Sequence, residues 1–303
     1  LRQRTARKEP STPRWLIDLS LSRHKHGFLI TDAGFAVQHI HRSDEILYVG
    51  FDDLSGPRSK NRLRDPWGYA FAAKAGWSYL GVMAHHTNWY RNSSLFSALE
   101  KLAEDGFFAR FGKVVFSGTS MGGFAACAFS SLAPHCTVIA FSPQSTLDPD
   151  IVGWETRYWS GRNADWSGPY ADAPKEIHAA GHVWIVYDPM LELDRRHATR
   201  FSGPNVSLLK ARWTSHHCIK HMARAKVLST FVRECIDGSM TEARFYELYR
   251  RGRYDPTRLG RLVTAVVTHD SRSLKKNLAS ALRSKGRPVL ARKVERAAKR
   301  SNG

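Results

Sequence analysis

The stretch Lys113-Val-Val-Phe-Ser-Gly118-Thr-Ser120-Met121-Gly122-Gly-Phe-Ala-Ala-Cys127 constrains this chain more than any other. A β-branched apolar run, then Gly-x-Ser-x-Gly, then an apolar helix start reads as strand, sharp turn and helix. A serine in such a turn is displayed at the top of a sheet with its hydroxyl outward. Small residues must flank it, because a Cβ would clash where the backbone folds back so tightly. The next amide, Met121 N–H, then opens a helix, where a developing oxyanion can be held. Ser120 is therefore the candidate nucleophile.

The rest of the chain supplies a sheet for that turn. Trp15-Leu-Ile-Asp-Leu and Gly27-Phe-Leu-Ile read as short early strands. Glu45 to Phe51, Trp77 to Ala84, Cys136 to Phe141, His182 to Tyr187 and Val206 to Arg212 read as further strands. A short helix closed by Gly76 precedes the second of these, and helical spacing runs from Leu95 to Phe111. Residues 144–180 are rich in Trp, Asp, Gly and Pro with weak periodicity, which predicts an inserted cap or lid. From about residue 218 helix dominates. Alternating strands and helices imply an α/β fold with a mostly parallel sheet flanked by helices. Sites in such sheets form beyond the carboxyl ends of the strands, where Asp52, His85 and His86, Ser120, Asp188, and His216 and His217 all fall.

With Gly118-Thr-Ser-Met-Gly-Gly and a Ser, acid, His order in place, residues 27–235 resemble the α/β-hydrolase superfamily. The resemblance implies a serine hydrolase or acyltransferase that uses no cofactor and no metal. Gly-Thr-Ser-Met-Gly-Gly-Phe-Ala is also similar to bacterial enzymes and accessory proteins that handle surface glycans. The general base is expected after the last strand, within Trp213-Thr-Ser-His216-His217-Cys-Ile-Lys-His221. His217, at the junction with the following helix, is favoured, and His216 is the alternative. The acid that orients the base is expected after the preceding strand. Asp188 sits at that strand end. Asp194 is the alternative, although as a helix N-cap it would have a purely structural role; Glu192 is a third carboxylate there.

The oxyanion hole should combine Met121 N–H with an amide at Phe51 or Asp52. No His-Gly-Gly run is present to supply the second donor. The carboxylates of Asp52 and Asp53 must point away from an oxyanion, and could instead hold Arg58 or a substrate hydroxyl. His85, His86, Asn88 and Trp89 form a candidate substrate-contacting loop, complemented by Trp154, Tyr158, Trp159 and Trp166 of the insertion. Adjacent histidines point to different sides of extended chain and no carboxylate follows at ligand spacing, so a metal site is not expected.

Charge belongs to the ends. Of the net +19, residues 1–14 carry +4 and residues 240–303 carry +12, leaving +3 for 15–239. This divides the chain into a basic N-terminal tail, an α/β domain over 15–239 and a basic helical C-terminal extension over 240–303. The extension is a candidate surface for an anionic polymer or a membrane surface. No run of 18 apolar residues exists, so no transmembrane segment is expected. The basic N-terminus has no apolar segment behind it and does not read as a secretory signal. Cys127, Cys136, Cys218 and Cys235 lack CxxC spacing, which points to reduced thiols and a cytoplasmic setting. The function expected is ester cleavage through an acyl-serine intermediate, on a small-molecule or glycan acyl ester. The alternatives are O-acyl transfer to a bacterial glycan, or a non-catalytic hydrolase-like module that binds an anionic polymer through its basic ends.

Overall fold

The structure, a computed structural model, describes residues 12–22, 26–61 and 63–300, and of Arg300 the backbone alone. Eight strands form one sheet: β1 (Phe28–Thr31), β2 (Phe35–Ile40), β3 (Ile46–Phe51), β4 (Ser78–Ala84), β5 (Lys113–Thr119), β6 (Thr137–Phe141), β7 (His182–Tyr187) and β8 (Val206–Lys210). Their spatial order is β1-β2-β4-β3-β5-β6-β7-β8. β1, β2 and β4 pair antiparallel, whereas β4, β3, β5, β6 and β7 pair parallel. This is a mostly parallel sheet flanked by helices, as an α/β fold requires. The parallel strands are buried on both faces, which is why they read as unbroken apolar runs. Edge strand β1 instead alternates between half-buried and exposed residues.

Two early expectations change. Trp15 to Leu19 is not a strand but part of helix α1 (Arg14–Ser22). Its buried residues, Trp15, Leu19 and Ser22, recur at helical spacing and make one face, which five residues read in isolation conceal. The sequence reading also passed over β2. Its Gln38 and His39 are both buried in the sheet, so two polar letters masked a fully buried strand.

Helix α2 (Tyr69–Ala75) ends as expected at Gly76, whose φ of +75° is the left-handed closing position. Helix α3 (Ser93–Glu104) is capped by the Asn92 side chain on Leu95 N–H. It is shorter than the 95–111 periodicity suggests. Gly106 at φ +70° interrupts it, and a separate 3-10 turn follows over Phe108–Arg110. Helix α4 (Met121–Ala128) is buried along its whole length, and α5 (Glu192–Ala198) connects β7 to β8.

The insertion over 144–180 contains only single helical turns, Pro149–Val152, Trp159–Arg162 and Ala173–Glu176, with a 3-10 turn at Ile177–Ala179. Two arginines, Arg91 buried and Arg200 half-buried, replace regular structure in holding it. Arg91 donates to the carbonyls of Asp165, Ser167 and Pro169 and lies over the rings of Phe96 and Trp166. Arg200 ties Ser145 Oγ to Asp172. The segment is a pinned wall.

The chain divides into two compact units. One comprises residues up to Val186 together with Leu193–Leu208, and the other Tyr187–Glu192 and the chain from Leu209 onward. Residues 209–239, read from sequence as part of the α/β domain, thus belong with the basic helices. The second unit holds α6 (Cys218–Arg224), α7 (Leu228–Asp237), α8 (Glu242–Arg250), α9 (Pro256–Thr268), α10 (Arg272–Ser284) and α11 (Pro288–Arg300). Thr241, Asp255 and Ser271 cap α8, α9 and α10 through their side chains. Leu259, Val263, Val266, Ala279, Leu282, Ala291 and Val294 make a separate small core, which leaves Arg272, Lys276 and Arg283 of α10 and Arg292, Lys293, Arg296 and Lys299 of α11 exposed, whereas Lys275 is buried. Among the described residues no helix is long and apolar enough to cross a membrane. All four cysteines are buried free thiols.

Candidate active site

Ser120 stands between β5 and α4 with φ +55° and ψ −119°. A non-glycine residue reaches this region only when its surroundings hold it there. Two backbone hydrogen bonds do so: Ser120 N–H to Phe141 O at 2.9 Å, and Phe124 N–H to Ser120 O at 2.9 Å. The flanking glycines are required by close approach. A Cβ on Gly118 would lie 2.2 Å from Gly122 O, and one on Gly122 would lie 2.3 Å from Phe51 O and 2.8 Å from Asp52 O. The loop after β3 therefore runs directly against the first turn of α4.

That contact bears on the oxyanion donors. Met121 N–H opens α4 and makes no hydrogen bond among the described residues. Of the two other expected donors, Asp52 N–H is bonded to Val82 O at 3.3 Å. Phe51 lies within β3, in register with both β4 and β5, so its amide belongs to a ladder. The next amide along, Asp53 N–H, has no hydrogen-bond partner among the described residues. The two carboxylates do point away. Asp53 turns to the amide and hydroxyl of Ser55. Asp52 accepts from Arg64, Trp67 N–H and Ala84 N–H, so its cation is Arg64 and not Arg58. Burial pushes the Asp52 carboxyl up to about 6, with Arg64 and the two amides opposing. Tyr90, at φ +59°, donates its hydroxyl to Asp52 O and braces the same loop.

The wall beside Ser120 comes from the loop after β4 and from the insertion. Gln144 Oε1 is 3.0 Å from Trp89 Nε1 and 3.4 Å from Ser120 Oγ, and Gln144 Nε2 is 3.4 Å from the Tyr158 hydroxyl. The Trp89 and Tyr158 rings pack at 4.9 Å. Trp89, read from sequence as part of a substrate-contacting loop, is completely buried and forms part of this wall. Of its companions, His86 is exposed, His85 is half-buried with Nδ1 3.2 Å from Ala33 O, and Asn88 donates to Arg91 O. Trp166 is buried on Gly161 O, Trp154 lies under the Arg196 guanidinium, and Trp159 is exposed.

Sequence reasoning missed the network behind this wall. Ser145 N–H donates to His197 Nδ1 at 3.1 Å, so Nδ1 is the acceptor and Nε2 carries the hydrogen, donated to Glu155 Oε2 at 3.0 Å. Ser145 Oγ also lies 2.9 Å from Nδ1. Ser145, His197 and Glu155 thus imitate a catalytic triad, yet all three have zero exposure and no substrate could reach them. Their role is support. Burial holds His197 below the usual imidazole value. Burial raises Glu155, but the bonds from His197 and Arg157 outweigh this and bring its carboxyl down to about 2. Arg157 grips Glu155 through Nε and Nη2 and reaches Asp194 Oδ1 through Nη1 at 2.7 Å. Asp194 is therefore the third residue of α5 and an ion-pair partner, and not a helix N-cap. The only local hint was the Glu155-x-Arg157 spacing.

In the second unit, Asp188 follows β7 directly and is buried. Its Oδ1 accepts Met190 N–H at 3.0 Å and Trp213 N–H at 3.1 Å, and its Oδ2 accepts Ser215 N–H at 2.6 Å. Trp213 and Ser215 sit at φ +69° and +56°. The carboxylate thus clamps a strained turn, and that turn leads straight into His216 and His217. His216 is half-buried, His217 is exposed, and their rings are 6.2 Å apart. His221 is buried one helical turn on, with Nδ1 3.5 Å from Asp255.

No family profile matches the chain, and no curated protein does. Several solved structures are similar to it. The capsule O-acetyltransferase of Neisseria meningitidis serogroup A is 12% identical over 69% of this chain and 94% of its own, with a TM-score of 0.45. Est1E from Butyrivibrio proteoclasticus is 14% identical over 70% and 99%, at 0.44. Carboxyl esterase 2 from Tuber melanosporum is 14% identical over 74% and 86%, at 0.44. At these values the likeness carries no argument about activity.

Proposed function

We propose that this α/β-hydrolase-like protein is a serine hydrolase that cleaves an ester bond through an acyl-Ser120 intermediate. The observation that carries the reading is Ser120 itself, held at φ +55° between a central strand and a buried helix beside an unbonded Met121 N–H. Ser120 Oγ attacks the carbonyl carbon and its proton passes to the base. The carbonyl oxygen takes the negative charge, held by Met121 N–H and, in place of Phe51 or Asp52, by Asp53 N–H. The tetrahedral intermediate collapses, the alcohol leaves with the proton, and water repeats the sequence to release the acid. His217 is the base we favour, with His216 as the alternative. Asp188 is the acid we favour, because its carboxylate shapes the turn carrying both histidines. Asp194 has its charge committed to Arg157.

A fluorophosphonate probe tests the reading directly. Wild type should label at Ser120, and Ser120→Ala should neither label nor hydrolyse p-nitrophenyl acetate, a loss of several orders of magnitude. Labelling elsewhere, or unchanged turnover in Ser120→Ala, would refute it. The same acyl-enzyme would serve O-acyl transfer if a glycan hydroxyl replaced water.

A second reading has its own observation. Arg292, Lys293, Arg296 and Lys299 of α11 are exposed, and Glu295 is the only acid in that helix. This surface suits an anionic polymer, bound electrostatically.

A further inference from the structure

The second unit holds a cleft beside the turn that Asp188 clamps. Its volume is about 450 Å³, within the range of small-molecule sites. Every residue that lines it belongs to this one unit. Met190 and Leu191, which follow β7, form one wall together with Trp213. The facing wall is α9, through Gly260, Arg261 and Ala265. Met190 is 52% exposed, and a flexible thioether adapts to varied apolar shapes.

Two observations say what this cleft takes. The first is Gly260. A glycine inside a helix weakens it. A Cβ at Gly260 would meet nothing within 4 Å, so close packing does not demand the glycine. Its missing side chain keeps the cleft open along α9. The second observation is charge. Asp188 and Arg261 are the charged residues on the lining. Both Asp188 oxygens are engaged by amides, those of Met190, Trp213 and Ser215. Arg261 is half-buried and makes no hydrogen bond or ion pair among the described residues. The uncommitted charge at this apolar cleft is therefore positive.

We propose that the cleft binds an aliphatic monocarboxylate, its chain between Met190, Leu191, Trp213 and α9 and its carboxylate paired with the Arg261 guanidinium. Withdrawing methylenes from water supplies the affinity. The guanidinium fork matches a carboxylate and selects the charged end. Among the described residues no second cation lines the cleft, which suits a single negative charge rather than a phosphate. The bound chain would rest on Trp213 at φ +69°, next but one to Ser215 at φ +56°. Backbone strain of this kind recurs at ligand clamps. The site does not depend on Ser120 being a nucleophile.

Isothermal titration calorimetry of the full chain with sodium octanoate, sodium hexanoate and 1-octanol tests this. Octanoate should bind with a Kd of about 1 mM or tighter. It should bind about tenfold tighter than hexanoate, or about three- to fourfold per methylene. Arg261→Gln should weaken octanoate by about tenfold and octanol by less than about twofold. Gly260→Leu fills the cleft with a better helix former, so it should melt no lower than wild type and yet lose octanoate binding. A Gly260→Leu protein that is folded and binds octanoate as wild type does would move the ligand out of this cleft. Equal affinity for octanoate and octanol would overturn the pairing with Arg261, and equal affinity for octanoate and hexanoate would overturn the apolar chain site. Absence of octanoate binding to wild type would overturn the proposal outright.

Discussion

Asp188→Asn is the perturbation that most sharply tests how the histidine turn is held. The wild-type carboxylate accepts three amides, two on Oδ1 and one on Oδ2. Asparagine keeps one acceptor oxygen and replaces the other by an NH2. If its oxygen faces Met190 and Trp213, the NH2 confronts Ser215 N–H; if flipped, it confronts the other two. At least one buried amide is left without an acceptor, which costs about 1–3 kcal/mol. The turn also loses its clamp. Trp213 and Ser215 are both at positive φ, each a strain of about 1 kcal/mol or more that the carboxylate offsets. We expect urea denaturation of Asp188→Asn to show a loss of about 2–3 kcal/mol. Fluorophosphonate labelling of Ser120 should slow by at least about 100-fold as His216 and His217 lose their fixed turn. Asp194→Asn should weaken the Arg157 pair but leave the turn intact. Should Asp188→Asn match wild type in both stability and labelling, with Asp194→Asn inactive, the assignment of Asp188 would be wrong.

Further outcomes follow from close approach, buried titration and surface charge. Gly122→Ala places a Cβ against two backbone carbonyls that cannot step aside, so it should cost about 1–3 kcal/mol or more and abolish labelling of Ser120; an active, equally stable variant would contradict the packing described. His39 is buried in β2 with Nδ1 on Tyr79 O, and burial brings its pKa from 6.5 to about 4. Because the folded value lies below the unfolded one, this stability is intact above pH 6.5. It is lost as pH falls toward 4, by about 3 kcal/mol. His39→Phe, placed among Phe28, Phe107 and Phe111, should flatten that acid limb in denaturation midpoints measured from pH 7 to 4. Reversing Arg292, Lys293, Arg296 and Lys299 to Glu should abolish any heparin binding and its salt dependence without changing ester turnover; unchanged heparin affinity would dismiss the polymer surface on α11.

Local chemistry wrote the parts of this protein that depend on neighbours in sequence. The apolar runs of β3 to β7 and the Gly-x-Ser-x-Gly turn were legible because burial on two faces and a turn without room for Cβ leave few residue choices. Strand β2 was not, since Gln38 and His39 are buried only because other strands surround them. The burial of Trp89 was hidden for the same reason: nothing nearby in sequence reveals that Gln144, 55 residues on, covers it.

The division is sharpest around Ser120. The strained turn at Ser120 and the helix-opening amide of Met121 were legible in sequence alone, because both are made by five consecutive residues. The free Asp53 amide, the wall and its supports belong to tertiary structure. Asp53 N–H is left unbonded only because β3 stops pairing after Asp52 reaches Val82. Ser145, Glu155, Asp194 and His197 form one buried network only when the insertion folds back onto α5. Which polar groups meet depends on where long segments pack, and a hydrogen bond between residues 42 positions apart leaves no periodic trace in the chain.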